Sequence, residues 1–211
     1  MKRRYFFAAL VLVIAVAVFA CCRARNSGAA DMEKMQNTLA DMKGYEASGT
    51  LKRISNKGEN TYELKQYYKS SGEYRLEFLS PDTVAGNYTV YDGKRIYQYN
   101  PRVNGKIIAD VPESKSRNEL FLGQFVKNYM QSEDVAIETA AIDESRCTVL
   151  EAVIPGGNKY LATEKLWINN STYKPEKFVI YDENGEERYI LIFKEFEYKE
   201  DFDEGLFTIP K

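Results

Sequence analysis

From Tyr45 to the C-terminal region, short stretches of alternating apolar and polar residues follow one another, separated by turn signals. This alternation is typical of strands that bury one face, and tight turns such as Asp92-Gly93 and Asn184-Gly185 predict antiparallel hairpins. The predicted strands cover residues 45–54, 61–69, 73–79, 87–91, 95–100, 135–142, 147–154, 160–168, 176–181 and 187–198. We interpret residues 102–115 as a long turn. So many short strands predict a fold built on an antiparallel sheet.

Two segments have helical rather than strand-like spacing. Apolar residues recur every three or four positions over residues 31–43, and Gly44 is placed to end this first helix in a left-handed conformation. Ser116 and Glu119 are spaced as a capping box, ahead of a second apolar run with helical spacing. The sequence therefore predicts one helix before the strands and one between their two groups.

Together these elements predict an α+β fold, in which a strongly curved antiparallel sheet, an open half-barrel, covers about two helices. We expect a single domain over residues 31–211, a length sufficient for one core. The predicted lining of the concave face is Leu76, Phe78, Phe121, Phe125 and Tyr129. These side chains either line an open groove or pack shut against the helices.

The N-terminal segment predicts export. Residues 2–4 are basic, residues 6–20 are uninterruptedly apolar, and Cys21 directly follows a small residue. We interpret residues 1–20 as a signal peptide whose end resembles a bacterial lipobox, which implies a lipid on Cys21 and a tether over residues 21–30. An uncleaved anchor and ordinary secretion are the alternatives. The predicted location is the extracytoplasmic side of a membrane, where the lipid anchors the protein.

The composition argues against an enzyme. The 211 residues include no histidine, which is the commonest general base and the commonest neutral zinc ligand. Two carboxylate pairs, Asp182 with Glu183 and Asp201 with Asp203, could in principle perform acid-base chemistry. Both pairs lie in predicted turns or acidic surface runs, where solvated carboxylates are expected. We therefore predict no catalytic residue, no metal site and no cofactor.

The net charge argues against one class of partner, and the sequence around Cys147 argues against a reactive thiol. The net charge is −2, and removal of the basic signal makes it more negative, so nucleic acid is an unfavourable partner. Cys147 lies in a strand-like stretch, and the chain has no histidine to activate its thiol. We predict that Cys147 is a small buried apolar residue rather than a nucleophile.

Several short motifs follow one another in a specific order. They are Tyr91-Asp92-Gly93, Leu166-Trp167-Ile168, Lys174-Pro175-Glu176-Lys177, Tyr181-Asp182-Glu183-Asn184-Gly185 and Phe207-Thr208-Ile209-Pro210. Their order and spacing, over residues 32–210, resemble the outer-membrane lipoprotein carrier family with the LolA/LolB fold. The resemblance implies an apolar cavity for acyl chains and matches Arg75 to the cavity arginine of the soluble carriers. A lipid-anchored member would bind or transfer lipids or lipoproteins at the cell envelope, as LolB does.

The lipobox, the compact LolA-like domain, the acidic charge and the absence of histidine together resemble the clostridial spore germination lipoproteins of the GerS family. This resemblance implies a noncatalytic protein that binds and activates a zinc-dependent N-acetylmuramoyl-L-alanine amidase. The amidase would carry the zinc and would modify spore-cortex peptidoglycan as germination requires. The implied location is the intermembrane space of a forming spore. We prefer this interpretation to the lipid-carrier one.

An open sheet also has two edge strands with unpaired backbone donors and acceptors. Such an edge can bind a strand of another protein or of a second copy. We therefore expect that a homodimer could form by edge pairing or strand exchange.

Overall fold

The computed structural model describes residues 32–112, 115–116, 118–132 and 137–210. The chain divides into two compact units, Met1–Ala40 and Asp41–Lys211. Of the first unit, the structure describes one helix, α1, over residues 32–40. The predicted signal peptide, Cys21 and the tether lie outside the described residues. Neither of the described α-helices combines the length and the apolar character that crossing a membrane requires.

In its described residues, the second unit is an antiparallel sheet with one α-helix. Its elements are β1 (Gly44–Ser55), β2 (Gly58–Lys69), β3 (Tyr74–Ser80), β4 (Tyr88–Tyr91), β5 (Arg95–Asn100), β6 (Gly105–Asp110), α2 (Leu122–Gln131), β7 (Ile137–Ile142), β8 (Ser145–Val153), β9 (Thr163–Asn169), β10 (Pro175–Tyr181) and β11 (Glu187–Tyr198). The strand order is β6-β5-β4-β3-β2-β1-β11-β10-β9-β8-β7. The sheet is open, since β6 and β7 lie at its two edges. These observations confirm the predicted α+β fold class.

The centre of the sheet is the pairing of β1 with β11, two strands of 12 residues each. Their register runs from Tyr45 opposite Tyr198 to Arg53 opposite Tyr189 and shifts between Ser48 and Gly49. At Gly49 a Cβ atom would lie 2.3 Å from the carbonyl oxygen of Ile192. The strands approach so closely here that glycine is required.

Helix α2 covers part of one face of the sheet, which we call the inner face. The ring of Phe125 is fully buried and meets the ring of Phe178 edge-on at a centroid distance of 5.8 Å. At Gly123 a Cβ atom would lie 1.9 Å from the hydroxyl oxygen of Tyr68, so the helix backbone lies directly on that ring. Large side chains from the strands and a small residue on the helix thus produce a close contact.

The opposite face carries a separate apolar cluster. Val90, Tyr97 and Ile209 pack together there, and Tyr88 and Tyr99 flank them. Ile209 belongs to the C-terminal segment that follows β11. The end of the chain therefore covers part of the outer face of β4 and β5.

Three local predictions are wrong. Gly44 does not end a helix in a left-handed conformation; it begins β1, where a Cβ atom would lie 2.5 Å from the carbonyl oxygen of Tyr68. The capping box does not form, because α2 begins after Phe121 without a side-chain cap. Part of the predicted long turn over residues 102–115 is strand β6.

Candidate functional site

A groove of about 640 Å³ lies on the inner face, beside the part of the sheet that α2 covers. Its lining is amphipathic. The apolar side chains are Leu76, Phe78, Ile96, Leu120, Phe121, Leu161 and Ile180, and the polar or amphipathic ones are Arg53, Tyr74, Thr89, Gln98, Glu119, Asn158, Tyr160 and Tyr189. This volume and mixture of groups are typical of a site for a small ligand or for a segment of a partner.

The alternation of β3 directs Leu76 and Phe78 into the groove, on the same side as Tyr74. Leu76 lies opposite Thr89 of β4, which in turn lies opposite Gln98 of β5. Along this row, Thr89 and Gln98 place polar groups beside Leu76, and Ile107 of the edge strand follows Gln98. The groove therefore combines apolar surface with groups that can donate and accept hydrogen bonds.

The loop between β8 and β9 forms another wall. Its ends are joined by a 2.9 Å hydrogen bond from the Ile154 amide to the Ala162 carbonyl, and the Glu183 backbone amide donates a 3.2 Å bond to the Lys159 carbonyl. A Cβ atom at Gly157 would lie 2.0 Å from the carbonyl oxygen of Leu161, so the loop is tightly folded. It presents Tyr160, whose side chain is 42% exposed, at the rim of the groove.

A buried polar cluster fixes the segment that leads into α2. The Tyr45 hydroxyl donates to Oε1 of Gln66 at 3.1 Å, and Nε2 of Gln66 donates to the Leu120 carbonyl at 3.1 Å. The Leu122 amide donates to the Tyr45 hydroxyl at 3.3 Å. Burial raises the pKa of that hydroxyl, which stays protonated as a donor. These bonds hold the backbone on either side of Phe121, whose ring meets Tyr74 at 4.5 Å.

The five residues predicted to line the concave face divide into two sets. Leu76, Phe78 and Phe121 line the groove. Phe125 and Tyr129 do not; their rings stack at 5.9 Å within the buried contact of α2 with the sheet. One part of the face is therefore an open groove, and the part under α2 is packed shut against the helix. The binding of a ligand by these residues stays a prediction.

Arg75 does not line the groove, although the LolA/LolB resemblance matched it to a cavity arginine. Its Nε lies 2.5 Å from Oε1 of Glu77, and its guanidinium lies 4.3 Å from the centre of the Tyr88 ring. Strand alternation places Arg75 on the face opposite Leu76. Arg53 of β1, which the sequence did not single out, supplies the arginine at the groove.

A second feature missed by the sequence is the buried carboxyl group of Glu164. Its side chain is inaccessible to solvent, and Nδ2 of Asn128 on α2 donates to its Oε1 at 2.7 Å. Oε2 has no hydrogen-bond partner among the described residues. Its cross-strand neighbours are Ala152 and Ile180. Burial raises the pKa of Glu164 to about 7, although the bond from Asn128 acts in the opposite direction.

The other acidic candidates have structural roles or lie at the surface. Asp182 accepts hydrogen bonds from the Asn184 and Glu186 amides at 2.9 and 3.0 Å and pairs with Arg188, which stabilises the turn after β10. Asp201 and Asp203 are exposed. Cys147 is buried, and burial beside Glu176 raises the pKa of its thiol to about 11. Across the part of the chain that the structure describes, no cluster of three metal-ligating side chains occurs.

Comparisons with solved structures place this geometry among known folds. A conserved protein from Thermus thermophilus, itself uncharacterised, shares 21% identity over 88% of this chain and 95% of its own, with a TM-score of 0.55. A LolA superfamily protein from Nitrosomonas europaea shares 15% identity over 85% and 96%, with a TM-score of 0.44. None of the curated proteins matches the chain.

A higher identity is found in the structure of the CwlD amidase from Clostridioides difficile in complex with the GerS lipoprotein. The match has 31% identity over 80% of this chain and 94% of the other, with a TM-score of 0.49. At this identity and coverage, the match confirms the predicted relation to GerS. The sporulation family described as YdcC-like matches residues 2–207. The chain therefore belongs to the YdcC-like family of sporulation proteins.

Proposed function

We propose that this protein is a noncatalytic lipoprotein that binds and activates a zinc-dependent N-acetylmuramoyl-L-alanine amidase during spore-cortex modification. The single observation that carries the proposal is the 31% identity to a structure in which an amidase and a lipoprotein form a complex. The zinc and the hydrolytic chemistry would belong to the amidase. This protein would act by binding, and its membership of a sporulation family supports the cellular context.

The fold provides surfaces suited to binding a protein. No described strand pairs with the outer sides of the edge strands β6 and β7, and the groove presents Arg53, Tyr160 and Tyr189 among its lining residues. Arginine and tyrosine are enriched among the residues that dominate the energy of protein interfaces. A rigid sheet that displays such groups loses little conformational entropy on association.

The direct test combines the full-length protein in mild detergent with an amidase of the CwlD type. We expect a stable complex and a faster release of peptide stems from spore peptidoglycan than with the amidase alone. The matched control is a heat-unfolded sample of the same protein in the same detergent. A native protein that neither binds the amidase nor changes its rate would refute the proposal.

Membrane attachment through Cys21 is part of the same proposal. We expect the protein to enter the detergent phase after cell lysis and to carry a diacylglycerol at residue 21, detectable by mass spectrometry. The variant Cys21→Ala should lose both properties, whereas Cys22→Ala, which alters the neighbouring thiol, should retain them. Retention of the lipid in Cys21→Ala would place the modification elsewhere. The expected location is the intermembrane space of the forming spore.

A second candidate function is LolB-like binding or transfer of lipids or lipoproteins. The observation that favours it is the groove, in which Leu76, Phe78 and Phe121 provide apolar surface within about 640 Å³. Lipid extracted from the purified protein would support this function if Leu76→Trp, which fills the groove, removes it. Lipid retained by Leu76→Trp would instead come from the anchor or the detergent. If Leu76→Trp loses the lipid but still activates the amidase, activation does not depend on lipid in the groove.

A further inference from the structure

Two side chains bring charge into the groove on the inner face. Arg53 lines the groove from β1, and its cross-strand neighbour Tyr189 lines it too. Glu119 lines it from the segment that leads into α2. The other described residues of the lining are uncharged. The groove therefore offers a ligand one basic and one acidic point of contact.

The register of the sheet shows how far apart these two charges lie. The Leu120 carbonyl, next to Glu119, accepts a hydrogen bond from Nε2 of Gln66 at 3.1 Å. Gln66 lies opposite Ala47 of β1, and Arg53 is six residues further along that strand. Six residues of an antiparallel strand extend about 20 Å. The acidic and the basic group thus lie toward opposite ends of the groove.

Neither charge is neutralised within the part of the chain that the structure describes. The adjacent Lys52, on the other face of β1, pairs with Glu59 at 2.6 Å, but no ion pair joins Arg53 or Glu119 to a described residue. Arg53 is exposed and Glu119 is half-buried. Hydrogen bonds between charged groups are the strong ones, so a ligand with an anion at one end and a cation at the other gains most here.

The surface between the two charges suits a peptide. Gln98 and Asn158 end in amide groups, which can donate to a peptide carbonyl and accept from a peptide N–H. Leu76 and Phe78 provide apolar surface for small side chains. An extended chain of four residues spans about 13 to 14 Å, and the long side chains of arginine and glutamate can reach across the remainder. The volume of about 640 Å³ accommodates such a chain.

We propose that the groove binds a short peptide with a free amine at one end and a free carboxylate at the other, the stem peptide that the amidase releases. Glu119 binds the amine, and Arg53 binds the terminal carboxylate. The inference rests on the proposed function, because hydrolysis by the amidase produces such a peptide. Water adds across the bond between the muramoyl carbonyl carbon and the alanine nitrogen. The carbon side leaves as a carboxylate and the nitrogen side as a protonated amine.

The proposed site distinguishes the product of this reaction from its substrate. In intact peptidoglycan the alanine nitrogen is part of an uncharged amide, which offers no cation to Glu119. After hydrolysis the same nitrogen carries a positive charge. The protein therefore takes up the released peptide and leaves the uncut stem to the enzyme.

Other occupants match only part of the lining. A fatty acid matches Arg53 and the apolar residues but offers nothing to Glu119. A neutral glycan pairs with neither charge. The amine and phosphate of a zwitterionic lipid headgroup are too close together to reach both ends of the groove.

The test is isothermal titration calorimetry of the full-length protein in mild detergent with synthetic L-alanyl-γ-D-glutamyl-meso-diaminopimelyl-D-alanine. Arg53→Gln and Glu119→Gln should each weaken binding of this tetrapeptide about three- to tenfold. Arg146→Gln and Glu200→Gln make the same changes of charge at exposed positions outside the groove. These two controls should bind within about twofold of the wild type.

Chemical blocking of the peptide assigns each end to its side chain. Acetylation of the alanine nitrogen should weaken binding to the wild type about three- to tenfold and leave binding to Glu119→Gln almost unchanged, because that variant has already lost the pair. Arg53→Gln should still respond to acetylation. A tetrapeptide whose C-terminus is an amide should give the converse pattern.

The absence of tetrapeptide binding, or equal weakening by acetylation in the wild type and in Glu119→Gln, would overturn the proposal. Palmitate binding that Arg53→Gln abolishes and Glu119→Gln retains, with no binding of the tetrapeptide, would assign the groove to lipids instead. The titrations omit the amidase, so the two proposals can fail separately. A protein that activates the amidase without binding the peptide refutes this inference alone, and one that binds the peptide without activating the amidase refutes the proposed function alone.

Discussion

The inner face consists of two regions that differ in how they are covered. Where α2 packs on the sheet, its Leu122 and Phe125 are fully buried, and the helix backbone lies on the ring of Tyr68. Beside it, Leu76 and Phe78 of β3 are only half-buried and border the groove. The sheet contributes large apolar side chains to both regions, Phe178 under the helix and Leu76 and Phe78 at the groove. The comparison shows that the helix, which has ten residues, covers too small an area to close an 11-stranded sheet.

The largest expected difference between the two regions is in stability. Phe125→Ala should lower the free energy of unfolding by about 3 to 5 kcal/mol, because it leaves a cavity where the ring met Phe178. Phe78→Ala, the matched substitution at the groove, should cost about 1 kcal/mol, since solvent can enter the space. Urea denaturation measures both values. Equal losses would show that the two regions are packed alike.

Between about pH 4.5 and 7, the closed region should add a pH-dependent contribution to stability. Because the pKa of Glu164 is raised from 4.5 to about 7, the folded state retains a proton that the unfolded state loses. Stability from this group is complete below about pH 4.5, decreases by about 3 kcal/mol as the pH rises to about 7, and changes little above that. Thermal unfolding from pH 4 to 8 measures the change.

Glu164→Gln should remove this part of the pH dependence, because the amide cannot ionise in this range. Glu200→Gln, at an exposed position, should leave the dependence as in the wild type. If Glu164→Gln has the same pH profile of stability as the wild type, Glu164 is not the group that causes the change between about pH 4.5 and 7.

The buried polar cluster predicts a smaller loss at the boundary between the regions. Gln66→Leu leaves the Tyr45 hydroxyl without its acceptor and the Leu120 carbonyl without its donor. We expect a loss of about 1 to 3 kcal/mol, measured by urea denaturation. Gln98→Leu, at the exposed side of the groove, is the control and should change stability by about 0.5 kcal/mol or less. A similar loss for both would contradict a special role for the cluster.

The smallest effect should appear in amide hydrogen exchange at the edge strand. The Val111 amide bonds to the Lys94 carbonyl, so alternate residues of β6 bond to β5 and the amides of Lys106, Ile108 and Asp110 point away from it. These three amides should exchange faster than those of Ile107 and Ala109. Uniform exchange along β6 would mean that the whole strand opens as a unit.

The sequence predicted most strands because they bury one face. Tyr74, Leu76 and Phe78 alternate with Arg75 and Glu77, and this pattern requires only the local sequence. Strand β6 was missed because both of its faces are exposed, so its isoleucines are adjacent rather than alternating. A strand that buries neither face has no periodic signal, and its pairing with β5 depends on the hairpin as a whole.

The groove was predicted only in part, since its walls come from distant segments. The β8–β9 loop contributes Tyr160, and β1 contributes Arg53, and neither position differs locally from ordinary surface sequence. Glu164 had a usable signal: it lies two residues before Leu166 and four before Ile168, on the face that β9 buries. An acidic residue on the same face of a strand as buried apolar residues indicates a buried carboxyl group. The sequence could not show that Asn128 is its hydrogen-bond partner.

The pairing of β1 with β11 has a consequence for how the molecule is made. These strands lie near the two ends of the folded region, yet they form the centre of the sheet, with Tyr45 opposite Tyr198. During synthesis, β1 through β6 emerge first, and the side of β1 that will pair with β11 remains without a partner strand. The backbone groups on that side can form their hydrogen bonds only after β11 has been synthesised. Closing such a long loop is slow. A chain that stops before Glu187 would therefore present an open central edge, and its two partial sheets would be prone to aggregate.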